Sequence, residues 1–126
     1  MEKRKTRPVY LNLFQIRMPV AAIVSIFHRL SGLLLFLFIP FLIYILEESL
    51  KSIDHFNNVI LLFQATSVRI FFIVLLWASI HHFFAGIRFL LIDIDLGITK
   101  KSAHFSAWLV NIGALICTLI VIWVLK

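Results

Sequence analysis

IFFIVLLWASIHHFFAGIRFLLI, residues 70–92, is the stretch on which the reading of this chain turns. Apart from Ser79, two adjacent histidines and Arg88, it carries no strongly polar side chain. It exceeds the roughly 20 residues a helix needs to cross a hydrocarbon core. In lipid the backbone must satisfy its own hydrogen bonds, so a lone span of this length is a helix. Two further runs qualify, one from about Pro19 to Leu46 and one from about Ala107 to Leu125. Pro19 suits a helix start, where its missing N–H is not needed, and Pro40 predicts a kink within the first span. The 126 residues are 62% hydrophobic, with a mean hydropathy of +1.04. A soluble domain this small keeps too much of its surface wet to hide that much apolar material. The expectation is an all-α integral membrane fold of three transmembrane helices (about 19–46, 70–92 and 107–125), in one domain over 1–126. Polar loops are expected near Glu47–Gln64 and Asp93–Ser106.

The net charge of +6 excludes less than its distribution does. Five of the twelve basic residues, Lys3, Arg4, Lys5, Arg7 and Arg17, precede the first span. That is the asymmetry of cytoplasmic membrane flanks and not of a nucleic-acid-binding face. Lys100 and Lys101 add to the second loop, whereas the first sets Lys51 and Arg69 against Glu47, Glu48 and Asp54. The N-terminus and second loop are therefore expected in the cytoplasm, with the first loop and the C-terminus outside. No secretory signal or convincing transit peptide is recognisable, which favours a bacterial inner membrane over a mitochondrial one. Cys117 is alone and no Cys-x-x-Cys-His occurs, so neither an internal disulfide nor covalent haem attachment is expected. Cys117 reads as a small apolar filler.

Polar groups inside the spans form two clusters. In SIFHRLSG, residues 25–32, Ser25, Arg29 and Gly32 share a helix face with His28 beside it. Arg29 in isolation reads equally well as a snorkelling side chain. Together with Ser25 and His28 it makes a donor set for a carbonyl or carboxylate at the membrane edge. In the opening stretch, His81 and His82 lie too deep to snorkel, and ionisable groups at such depth are functional candidates. Imidazole is a haem-iron ligand, and a Phe-rich helix face suits an apolar macrocycle. His82, Gly86 and Phe89 share one face, and Gly86 permits close approach. Arg88 lies six residues on, about 9 Å along the axis, where haem propionates would reach the cytoplasmic edge near His28 and Arg29. A second axial ligand would come from His28 or another chain; the shallow position of His28 favours a partner. His81 is left to the core, and His55 and His104 read as solvated.

The blocks RPVYLNL, IRMP, SIFHRLSG and HHFFAGIRFLLID resemble the cytochrome b membrane-anchor subunit of succinate dehydrogenase, over roughly Arg7 to Gly97. The third span matches only as an apolar helix. The resemblance implies half of a heterodimeric haem-binding bundle. The implied complex has four subunits: a flavoprotein, an iron–sulfur protein and two small anchors that share haem b and a ubiquinone site. By position, His82 matches the axial haem ligand, Ser25 and Arg29 the quinone-site serine and arginine, and His28 and Arg88 residues near the propionates. The family often has histidine where this chain has Phe89, which shifts propionate contact toward Arg88, His28 or the partner. The chain carries neither nucleotide-binding glycines nor cluster cysteines, so succinate chemistry is not expected on it. Two other readings stand beside this one: the corresponding anchor of a quinol:fumarate reductase, and a structural membrane adapter without redox function.

Overall fold

The computed structural model of the chain describes residues 18–125. The basic arm that motivates the orientation, and the RPVYLNL block, lie outside the described residues. Four helices follow in order: α1 (Val20–Lys51), α2 (Ile53–Gln64), α3 (Thr66–Asp93) and α4 (Lys100–Val124). Three of them, α1, α3 and α4, are long and apolar enough to cross a membrane. The fold is all-α and of the integral membrane class.

Each long helix outruns its apolar span because backbone hydrogen bonding continues into polar flanks. Pro19 caps α1, and its carbonyl accepts from the Ala22 amide at 2.9 Å. α1 stays helical through Pro40. The last turn of α1 carries Glu47, Glu48 and Lys51, with Lys51 paired to Glu47 at 3.5 Å and to Glu48.

The segment expected as a loop at Glu47–Gln64 is instead the end of α1 plus α2. Ser52 breaks the chain in an extended conformation, and its Oγ accepts the His55 amide at 3.3 Å to start α2. Asp54 in the first turn complements the helix dipole. His55 donates from Nδ1 to Glu48 Oε2 at 2.8 Å, tying α2 back to α1. The second loop shrinks to residues 94–99. There Asp95 takes a left-handed conformation (φ 61°), with Asp95 N bonded to Ile92 O at 3.0 Å and Leu96 N to Leu91 O at 2.9 Å. Those two bonds are a Schellman stop. Thr99 opens α4, its Oγ1 accepting the Ser102 amide at 3.2 Å.

α3 packs against both α1 and α4, which also touch each other. The pairs Phe27–His81, His28–His82 and Phe38–Phe71 show α1 and α3 antiparallel. The pairs His81–Asn111 and Arg88–Ser106 show the same for α3 and α4. The helices meet tightly where Val24, Ala85, Ala107 and Val110 are buried together. Membrane helices gain little from excluding water, so small residues that let backbones approach carry such seams. Ala78, Ala85, Ala107 and Ala114 do so here.

Candidate functional site

Two faces of α3 carry polar groups, and they meet different neighbours. The buried face runs through Leu75, Ala78, His81, Ala85 and Arg88, at spacings of three and four. One position round, His82, Gly86 and Phe89 face α1.

On the α1 side His82 is held by main chain and hydroxyl together. Its Nδ1 lies 3.1 Å from the His28 carbonyl oxygen and 3.2 Å from Ser31 Oγ. The Ser31 hydroxyl itself donates to the same carbonyl at 2.9 Å. A carbonyl only accepts, so the proton of this bond sits on His82 Nδ1. In the neutral ring Nε2 then carries the lone pair, and it has no hydrogen bond among the described residues. The His28 ring lies flat on His82, centroids 4.2 Å apart and planes 11° from parallel. It also lies against Phe89 at 5.2 Å. The two nearby glycines differ in how closely a neighbour approaches them. A Cβ on Gly86 would meet His28 Nε2 at 3.7 Å, an ordinary contact, whereas one on Gly32 would come within 2.9 Å of His82 Cε1.

On the α4 side His81 is completely buried. Its Nε2 lies 3.2 Å from Asn111 Oδ1, so that nitrogen carries the proton, while Nδ1 is buried with no partner among the described residues. Phe27 stands edge-on at 5.8 Å and Trp77 tilts over the ring at 5.2 Å. No ligand can reach it without repacking. Arg88, only 6% exposed, donates from Nε to Ser106 Oγ at 3.0 Å and from Nη2 to the Ala103 carbonyl at 3.2 Å. Its guanidinium stands 5.4 Å from the Phe89 ring centre.

The structure thus brings His28 and His82 into contact and bonds Arg88 to α4. Ser25 is half-buried and Arg29 exposed, one turn apart on α1. An apolar groove of about 700 Å³ runs between α3 and α4, and neither His28 nor His82 lines it. Among the described residues no three of His, Cys, Asp and Glu cluster as a self-sufficient metal site.

Residues 3–121 match the family described as "Succinate dehydrogenase/Fumarate reductase transmembrane subunit". The chain belongs to that family. A succinate dehydrogenase cytochrome b556 subunit of Coxiella burnetii is 32% identical over 120 residues, 94% of this chain and 96% of that protein. The subunit of the same name from Rickettsia conorii is 29% identical over 122 residues, 97% of this chain and 92% of that protein. The match to the family thus takes in all three long helices nearly end to end, and its cytochrome b members carry a name that implies haem.

Two residues that sequence reasoning does not single out complete the site. Asn111, a lone amide in an apolar helix, signals a polar partner across a helix seam. Ser31 stands inside the family-like SIFHRLSG block beside Gly32, yet the tasks of both depend on how α1 is rotated against α3.

Proposed function

We propose that this chain is the large membrane anchor of a succinate:quinone oxidoreductase. In this reading His82 holds one axial position of haem b through Nε2, and Ser25 and Arg29 form one wall of a ubiquinone site. The observation that carries it is the polarity of the His82 ring, with Nδ1 committed to the His28 carbonyl and Nε2 unengaged among the described residues. Metal-bound histidines are commonly set this way, the second ring nitrogen fixed by a carbonyl so that tautomer and orientation are defined. The depth fits as well, since His82 lies about 16 Å from the C-terminal end of α3.

The second axial ligand is assigned to another chain. The His28 ring is taken up in packing, stacked flat on His82 at 4.2 Å and lying against Phe89, so another chain would supply that ligand. The other small anchor of the complex is the natural source, and it makes the chain half of a heterodimeric bundle. His28 and Arg88 are proposed propionate contacts. With Nε and Nη2 bonded to α4, Nη1 is the guanidinium nitrogen left for that task. Bound haem would supply a one-electron store within the membrane.

The chain's own part in quinone reduction follows from Ser25 and Arg29. A quinone gaining electrons concentrates negative charge on its carbonyl oxygens, and preorganised donors stabilise that charge where water is scarce. Arg29 supplies a permanent charge and a fork of donors but does not release its proton. The Ser25 hydroxyl adds a neutral donor one turn away. Succinate oxidation and cluster chemistry belong to the flavoprotein and iron–sulfur partners, whose electrons reach quinone at this site. The anchor lies in a bacterial inner membrane with its N-terminus cytoplasmic, on the side from which those partners deliver electrons.

Purification from native membranes tests the reading. The expected preparation holds four different chains and a low-spin b-type haem spectrum, and succinate reduces added ubiquinone. A preparation lacking haem and companions would contradict it and favour a structural adapter. The family description also names fumarate reductase. That second reading predicts faster turnover with quinol and fumarate than with succinate and quinone.

A further inference from the structure

We infer that Ser31, Gly32 and the main-chain carbonyl of His28 form a cradle on α1 that fixes the tautomer and the plane of His82, so presenting Nε2 for ligation. Ser31 and Gly32 are positioning residues in this view, and the inference rests on the reading of His82 as a haem ligand.

Hydrogen-bond directions carry the first half. The Ser31 hydroxyl donates its only proton to the His28 carbonyl at 2.9 Å. Its contact with His82 Nδ1 at 3.2 Å is therefore made by an oxygen lone pair. The carbonyl at 3.1 Å is an acceptor as well. His82 Nδ1 thus faces two acceptors and no donor, which favours the proton there and leaves the lone pair on Nε2. Because the carbonyl belongs to a helical backbone, no side-chain motion releases it.

Sterics carry the second half. A Cβ on residue 32 would stand 2.9 Å from His82 Cε1 and 3.4 Å from Nδ1. The first distance is inside any tolerated contact. The ring has little room to retreat, since Nδ1 is tethered and the His28 ring already lies at stacking distance. Glycine at 32 is thus the empty seat in which the imidazole edge rests. Ser31 is itself buried, at 3% exposure, so its hydroxyl is shielded from competing water.

The test has two readouts, neither of them turnover. In vesicles holding the full-length chain without haem, side-chain nitrogen NMR on ¹⁵N-histidine reports the tautomer of His82. Wild type should give the Nδ1–H form alone, and Ser31→Ala should admit the other form because one of two acceptors is gone. In the assembled complex, Ser31→Ala should keep haem but shift its low-spin EPR signal and midpoint potential. Gly32→Ala should lower haem content several-fold. Should Gly32→Ala assemble poorly, its stability cost is measured twice, once with His82 intact and once combined with His82→Ala. A cost that vanishes once the ring is absent shows that Gly32 acts through His82. An Nε2–H ring in wild type, or mixed forms unaffected by Ser31→Ala, would overturn the cradle. Retention of the normal haem spectrum after His82→Leu would instead overturn the ligand assignment, and is distinguishable because the NMR result does not depend on it.

Discussion

His81 and His82 are neighbours in sequence, yet about 100° of helix rotation gives them opposite chemistry. His82 donates its Nδ1 proton to α1, and its Nε2 is unengaged among the described residues. His81 gives its Nε2 proton to Asn111 on α4 and buries a bare Nδ1 among Phe27 and Trp77. The same division extends along the helix. Phe89 packs against His28 and Gly86 leaves it room, whereas Arg88 bonds to Ala103 and Ser106. In the proposed reading one face of α3 holds a ligand and the other holds a helix. Changes on the α1 side should alter redox behaviour with little loss of stability, and changes on the α4 side should do the reverse.

The largest effect is expected beside the α1 side, at Arg29. Arg29→Leu should slow succinate–quinone turnover by about 10²-fold, near the low end for a single preorganised donor. Ser25→Ala should cost roughly tenfold, being neutral and open to replacement by water. Reduction of a soluble dye that takes electrons upstream should survive in both variants. Equal loss of dye and quinone activity would mean failed assembly and no special role for this edge.

Next comes the α4 side. Arg88→Met removes two bonds donated by a charged group and should destabilise the assembled complex by about 2 kcal/mol, read from its unfolding midpoint in denaturing detergent. If the haem potential moves strongly while stability does not, Arg88 serves the propionates more than the helix seam. A smaller effect tests His81 itself. A cycle of His81→Leu, Asn111→Leu and the double variant should give a coupling of about 0.6 kcal/mol, and at most roughly 1.7 kcal/mol. Zero coupling would leave the pair as mere neighbours. Smallest is Asp95→Gly in the turn before α4. Relief of a left-handed residue (φ 61°) should stabilise the fold by about 0.5 kcal/mol without touching the haem spectrum.

The three spans are readable in the sequence because a bilayer demands uninterrupted apolar length, and such length leaves few alternatives. The helix α2 escapes that reading although Ile53, Phe56, Ile60 and Phe63 repeat at helical spacing. Its polar ends look like the boundaries of a loop. Which face of α3 is buried is harder to read, since a helix apolar all round offers no contrast between core and lipid. The usable signal is the small residues Ala78 and Ala85, which mark the seam with His81 and Arg88 between and after them. His82 stands out by its shared face with Gly86. The commitment of Arg88 to α4 does not, because it depends on Ser106 and Ala103 arriving from a helix whose register the sequence leaves open. The same holds for Ser31 and Gly32, whose contacts with His82 arise only when α1 and α3 are docked.

The contrast between the two histidines is tested most directly by their paired replacement in the assembled complex. His82→Leu and His81→Leu are prepared side by side, and the low-spin haem spectrum is recorded on each at equal protein. The signal should disappear or become high-spin in the His82 variant, and persist near wild-type intensity in the His81 variant. A normal low-spin spectrum in the His82 variant, or its loss in the His81 variant alone, would contradict the assignment.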